Sequence, residues 1–180
     1  MKTLFVLRHA KASEESPSGS DFDRPLTSSG KRAAAAIGRA LGASEPRTDA
    51  ILASPAQRVI ETVAGVAQAA GLNAAPGWDR RLYNASVQDL IGAIGETDDE
   101  VATLLLVGHN PGLQGLIGYL ATDDPAGLRA EVRGRFATAT LAELHLSINR
   151  WREIEPGCGR IEHLVRPGDL DLAPAWPDRP

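Results

Sequence analysis

Four side chains in this sequence stand out by type and placement: Arg8 and His9 side by side, Arg58, and His109. Arginine offers a planar, permanently charged fork of N–H donors that matches the oxygens of a phosphoryl group. Histidine changes charge near neutral pH and can serve as a nucleophile or as a proton donor. Two of each, brought to one place, have the composition of a phosphoryl-transfer site. Zinc is the sharper rival, because histidine is a common ligand for it. Yet two neighbouring arginines would repel a cation, and the sequence holds no HxxxH, CxxC or convergent carboxylate set to complete a coordination shell. Neither a metal nor a cofactor is therefore expected.

The elements around these residues explain how they could meet. Leu4-Phe5-Val6-Leu7 runs directly into Arg8-His9, and Thr103 to Gly108 is a second apolar run that ends in His109. Continuous apolar runs of this length read as strands buried on both faces, as in a parallel sheet. Ligands of such sheets collect outside the carboxyl ends of the strands, where Arg8, His9 and His109 stand. A third apolar segment, Asp49 to Ser54, leads through Pro55 into a helix reaching about Ala70, with Val59, Val63, Val66 and Ala67 on its apolar stripe and Gly71 as its cap. Arg58 then falls in the first turn of that helix, at an end that favours anions. Three such units predict an α/β fold: a three-layer α/β/α sandwich with a mostly parallel central sheet.

The remaining chain supplies cover. Glu14 to Pro25 is rich in Ser, Asp, Gly and Pro, has no periodicity, and reads as a loop over the first strand mouth. A helix capped by Thr27 or Ser28 follows, with Ala33, Ile37, Ala40 and Leu41 as its apolar face and Gly42 as its stop. A short strand is expected around Ala74 to Trp78, a helix from the Ser86 cap through Ile94, and another behind His109 bearing Leu113, Leu116, Ile117 and Leu120. Asp123 to Arg135 reads as a loop. Phe136 to Ser147 reads as a strand with one face less buried, Trp151 to Ile154 and Arg160 to Val165 as edge strands, and Pro167 onward as a tail.

A length of 180 residues predicts one domain spanning 1–180, with about 167–180 as its tail. The net charge of −4 lacks the basic footprint of a nucleic-acid binder. No run approaches the roughly 18 apolar residues that span a bilayer, and Leu4 to Leu7 is too short for a signal-peptide core, so a cytoplasmic protein with no membrane partner is expected. The one cysteine, Cys158, lies in a Pro-Gly-Cys-Gly turn with no ligand cluster nearby and reads as a structural or incidental thiol.

At these residues the sequence resembles the histidine phosphatase superfamily, with its phosphoglycerate mutase-like fold. Leu7-Arg8-His9-Ala10 is similar to the Arg-His-Gly signature, Ser54-Pro55-Ala56-Gln57-Arg58-Val59-Ile60-Glu61-Thr62 to the Ser-Pro-x-x-Arg-x-x-x-Thr segment, and Val107-Gly108-His109-Asn110 to the second-histidine strand. The short length, Arg8-His9-Ala10-Lys11-Ala12 and Asp23-Arg24-Pro25-Leu26-Thr27-x-x-Gly30 resemble most the SixA branch, described as phosphohistidine phosphatases. The resemblance implies that His9 accepts the phosphoryl group and that Arg8 and Arg58 bind its oxygens. It further implies that His109 and Asn110 complete the pocket and that no metal takes part.

Departures from the wider family narrow the expectation. Larger members carry an acidic residue in the segment corresponding to Leu82-Tyr83-Asn84-Ala85-Ser86, where this chain has none. Without an acid to protonate an alkoxide, a phosphohistidine substrate fits better than a sugar or glycerol phosphate. Asp21, Asp23 and Glu14 in the overhanging loop are the candidate substitutes. Ala10 in place of Gly, and Ala12-Ser13-Glu14-Glu15 in place of Ser-x-x-Asn, argue against mutase activity. The expectation is a metal-independent phosphatase working through a phosphohistidine on His9, its partner a phosphorylated protein. The alternatives are a phosphatase for a small phosphorylated metabolite (a sugar, glycerate or nucleotide phosphate) and a phosphate-binding module without turnover.

Overall fold

Apolar runs without polar alternation need cover on both sides, and the chain provides it by wrapping helices around one sheet. The computed structural model describes residues 1–44, 47–122 and 126–170. Its strands are β1 (Lys2–Arg8), β2 (Ala50–Ala53), β3 (Pro76–Trp78), β4 (Thr103–Gly108), β5 (Leu141–Leu146) and β6 (Gly159–Val165). Its helices are α1 (Ser28–Gly42), α2 (Gln57–Ala70), α3 (Val87–Gly95), α4 (Gly112–Leu120), α5 (Leu128–Gly134) and α6 (Pro167–Leu170). The sheet order is β3-β2-β4-β1-β5-β6. The first four strands of that order run parallel, and β5 and β6 are antiparallel to their neighbours. The expected α/β sandwich is the observed architecture.

β1 and β4 lie side by side at the centre, and the pleat divides their side chains between two cores. Leu4, Val6, Leu104 and Leu106 pack with residues of α3 and α4 on one face. Phe5, Leu7, Leu105 and Val107 pack with residues of α1 and α2 on the other. The helix ends follow local chemistry. Thr27 caps α1 by accepting from the Gly30 N–H at 3.0 Å, Gly71 closes α2 in the left-handed conformation, and Ser86 and Asp89 form a reciprocal capping box at α3.

Four expectations from sequence need correction. Asp123 to Arg135 is not all loop: α5 occupies Leu128–Gly134, while residues 123–125 lie outside the described ones. This helix buries Val132, and the Gln114 amide donates to the Val132 and Arg133 carbonyls at its end. Seven residues with one buried member carry too little periodicity to read. Phe136 to Ser147 does not run as one strand. β5 begins at Leu141, because residues 136–140 turn across the mouth of β1 with Ala139 in the left-handed region (φ +56°). β5 is also covered on both faces, its polar members pairing internally as His145 Nε2 meets the buried Glu143 carboxylate at 2.8 Å. Finally, Trp151–Glu153 is a 3-10 turn rather than an edge strand. It seats the buried Trp151 ring in the core, with the indole N–H donating to the Val101 carbonyl at 2.9 Å. The tail expected from Pro167 starts as α6, and residues 171–180 lie outside the described ones.

Backbone contact between α1 and the segment after β1 fixes the entry to the site. Thr27 N–H donates to the Lys11 carbonyl at 2.9 Å, and Gly30 lies so close that an added Cβ would collide with the same carbonyl. The backbone on both sides must move to admit a methyl group there. Gly30→Ala is therefore expected to lower stability by about 2 kcal/mol or more, read as a drop in the urea midpoint at unchanged slope.

Candidate active site

Parallel pairing of β1 with β4 places Leu7 opposite Val107 and Arg8 opposite Gly108. One more ladder bond, from the His9 N–H to the Gly108 carbonyl at 3.1 Å, carries the pairing past the strand ends. His9 and His109 therefore stand at one edge with ring centroids 5.2 Å apart and planes tilted by 58°. Across β4 the Ser54 N–H bonds the Val107 carbonyl at 3.1 Å, which brings the start of α2, and with it Arg58, to the same edge. Arg8, His9, Arg58 and His109, separated by up to 101 positions in sequence, thus share one mouth.

Hydrogen-bond partners assign the ring protons. His9 Nδ1 lies 2.8 Å from the Ala10 carbonyl, which can only accept, so Nδ1 carries the hydrogen and Nε2 keeps its lone pair. Arg58 can only donate, so its Nη2 at 3.4 Å makes His109 Nδ1 an acceptor. The His109 Nε2–H then donates to Ser54 Oγ at 2.8 Å. Both rings are held neutral. Burial, reinforced by the Arg58, Arg8 and Arg24 charges against an opposing Ala10 bond, pushes His9 down to about 4. Burial, His9 and Arg58 push His109 down to about 3.

The two arginines are held differently. Arg8 donates from Nη1 to the Phe136 carbonyl at 2.9 Å, while its buried Nε has no partner among the described residues. Asn110 reaches the same carbonyl through Nδ2 at 2.9 Å, which joins Arg8 to the strand end carrying His109. Arg58, 5% exposed, donates from Nη1 to the Asp21 carbonyl at 2.6 Å and from Nη2 to the Asp21 carboxylate at 3.0 Å. Thr62, one turn along α2, ties the two halves: its hydroxyl donates to the Arg58 carbonyl at 2.6 Å and accepts from the Ala10 N–H at 3.0 Å.

Of the loop carboxylates, Asp21 reaches this group. Bonds from Arg24, Tyr83 and Arg58 hold it well below the usual carboxylate range, so it is present as an acceptor. Asp23 accepts from Ser18 at 2.5 Å within the loop, and Glu14 is exposed on it. Sequence reasoning passed over Tyr83, whose ring stands edge-on to His109 at 5.4 Å and whose hydroxyl donates to Asp21 at 2.8 Å. It also passed over Ser54 as a partner of His109 and over the Phe136 carbonyl. Ser54 was visible in the Ser-Pro-x-x-Arg segment. Tyr83 and Phe136 carry no local signal, since their contacts are made by distant elements. Among the described residues, no group of three or more His, Cys, Asp or Glu stands where a metal ion could be held.

Comparison with known proteins identifies the family of the chain. The family model of the histidine phosphatase superfamily (branch 1) matches residues 4–97. The chain belongs to that superfamily. An uncharacterized protein of Mycobacterium tuberculosis is 35% identical over 158 residues, covering 86% of this chain and 96% of the relative. The phosphohistidine phosphatase SixA of Escherichia coli is 27% identical over 180 residues, covering 96% of this chain and 98% of its own. A solved candidate phosphohistidine phosphatase SixA from Nakamurella multipartitia superposes with a TM-score of 0.81 at 29% identity, covering 92% of this chain and 96% of its own.

The histidine environments have a measurable consequence. Unfolded, each imidazole protonates near 6.5; folded, His9 does so near 4 and His109 near 3. The unfolded chain therefore binds protons first as the pH falls. The contribution of the two rings to stability is complete above about 6.5 and is lost progressively as the pH drops from there towards 4 for His9 and towards 3 for His109. In an NMR titration the His9 and His109 ring signals are expected to stay at their neutral positions down to pH 5. A midpoint near 6.5 for either would contradict the burial argument.

Proposed function

We propose that this protein is a phosphatase that removes phosphoryl groups through a covalent phosphohistidine on His9, and that its substrate is a phosphohistidine carried by another protein. The observation that carries the reading is the His9 ring itself: Nδ1–H is anchored on the Ala10 carbonyl, leaving a lone pair on Nε2 at the strand mouth beside Arg8, Arg58 and His109. A nucleophilic imidazole must be unprotonated, and burial beside cations keeps it so throughout the neutral range.

In the first step the Nε2 lone pair forms a bond to phosphorus while the bond from phosphorus to the substrate's ring nitrogen breaks. Arg8 and Arg58 hold the equatorial oxygens and offset their charge, so positioning and electrostatics supply most of the acceleration. Water then attacks the phosphorus, and the P–Nε2 bond breaks to release inorganic phosphate and restore His9. His109 and Asn110 complete the pocket wall. A general acid is worth roughly 100- to 10,000-fold for a poor leaving group. The segment Leu82 to Ser86 has no carboxylate to supply it, and Asp21 is held ionised. A phosphohistidine protonated on its distal ring nitrogen leaves as neutral imidazole and needs no such acid. The similarity to the Escherichia coli SixA protein supports the same substrate class. A cytoplasmic location fits it too, and no helix among the described residues is long and apolar enough to cross a membrane.

The test pairs substrates with variants. Wild type is expected to hydrolyse a phosphohistidine protein and an activated aryl phosphate, to prefer the former over alkyl phosphates, and to be unaffected by a chelator. His9→Ala is expected to lose about 1,000-fold or more in kcat, and Arg58→Ala about 100-fold or more in kcat/KM. Equal turnover by His9→Ala removes the nucleophile assignment. Preference for sugar, glycerate or nucleotide phosphates assigns a small metabolite instead, and a wild type that binds phosphate without turnover marks a binding module.

A further inference from the structure

We propose that Asp21 is a positioning residue for Arg58: a fixed anion, gripped by Tyr83 and Arg24, that locks the guanidinium at the mouth of β1 and β4. The inference rests on reading that mouth as a phosphoryl pocket and assigns a role to a loop residue outside the Arg-His constellation.

Arg58 has a long side chain with many free rotamers to immobilise, so a preorganised fork needs something to hold it. Asp21 holds it twice on the outer side, through its main-chain carbonyl to Nη1 at 2.6 Å and its carboxylate to Nη2 at 3.0 Å. On the inner side Nη2 leans on His109 Nδ1 at 3.4 Å, a long contact that a phosphoryl oxygen can replace. The Tyr83 ring stands 5.9 Å from the guanidinium carbon. Outer and inner contacts together engage both terminal nitrogens of the fork, with Nη2 between Asp21 and His109.

Asp21 is itself over-determined. Tyr83 Oη donates to Oδ2 at 2.8 Å and Arg24 Nη1 to Oδ1 at 2.8 Å. Arg24 is anchored in turn, its Nε donating to the Ser13 carbonyl at 2.6 Å. The main chain of Asp21 sits in a 3-10 turn, Asp21–Asp23, capped by Ser20. Donors from the loop, from α2 and from the turn before α3 thus converge on one carboxylate. It has no proton to give, and a side chain half exposed to water contributes little to global stability through its ion pairs. Its effect is on where Arg58 points.

Three carboxylates of this loop were candidates for a general acid, and the clamp separates Asp21 from that role by a different kinetic signature. An acid matters more as the leaving group becomes poorer, whereas a misplaced Arg58 weakens the phosphoryl transition state equally for every leaving group. The experiment measures Asp21→Asn, Asp21→Glu and Tyr83→Phe against wild type with aryl phosphates of graded leaving-group basicity and with a phosphohistidine protein, alongside competitive inhibition by inorganic phosphate. Asp21→Asn is expected to lower kcat/KM by about 10- to 100-fold, by one factor across the panel, and to weaken phosphate inhibition about 10-fold. Asp21→Glu restores part of the loss, and Tyr83→Phe, which keeps the charge and removes one of its donors, gives a smaller uniform loss. A penalty that grows with leaving-group basicity overturns the proposal in favour of Asp21 as an acid, and unchanged kinetics in Asp21→Asn overturns it outright. Thermal melting of each variant controls for folding. If Asp21→Asn melts early, Tyr83→Phe decides alone, since unchanged phosphate inhibition there overturns the clamp. A wild type that neither turns over the panel nor is inhibited by phosphate refutes the reading of the pocket, whereas an active wild type with an unaffected Asp21→Asn refutes only the clamp.

Discussion

The register between β1 and β4 is the constraint on which the site depends. Side chains alternate with a period of two, so a slip of one residue would exchange the two cores and aim both strand ends differently. The register is held because both strands are apolar on both faces, with no position from Leu4 to Leu7 or from Leu104 to Val107 more than 1% exposed. It continues beyond the strands in the bond from His9 to Gly108, and two neighbouring segments join the same edge, Ser54 through the Val107 carbonyl and Ala139 through the carbonyls of Arg8 and His9. Each brings one further wall to the same edge. The chemistry of the mouth is thus placed by the most deeply buried part of the molecule, which is also where the backbone has least freedom to drift.

Charge and burial act together there. Burial penalises a charged ring, and the two guanidiniums in the same mouth would repel an imidazolium, so both histidines are held neutral. The Asp21 carboxylate bonded to Arg58 is ionised. Thr62 links the β1 end to α2 through one hydroxyl, so that displacement of either arginine-bearing segment is felt by the other.

Much of this was legible because strong signals coincide. The apolar runs before Arg8 and His109 specify buried parallel strands, and a chemically distinctive residue at the end of each needs no tertiary information to be noticed. The pattern failed where local sequence is ambiguous. Phe136 to Thr140 has the composition of a strand, but Arg8 and Asn110 both claim the Phe136 carbonyl and Ala139 takes a left-handed turn, so the segment leaves the ladder. Trp151 looked like strand edge and is a core anchor, since its indole N–H finds a carbonyl 50 positions away. Tyr83 and Asp21 are 62 positions apart, and nothing in either neighbourhood announces the contact.

The loop from Glu14 to Pro25 is closed at its base by the Ala12–Leu26 bridge and by the Ser13 N–H on the Pro25 carbonyl at 2.8 Å. Its two ends are therefore clipped together independently of what lies between them, and doubling such a loop costs only about 0.6 kcal/mol in closure entropy. The closure at its base is therefore separate from its tip, where length and composition bear on the ladder beneath only through the contacts the tip itself makes. One condition follows from the contacts: because Asp21 sits inside this segment, a replacement that matches the original in shape alone removes the carboxylate and the carbonyl that now bond Arg58.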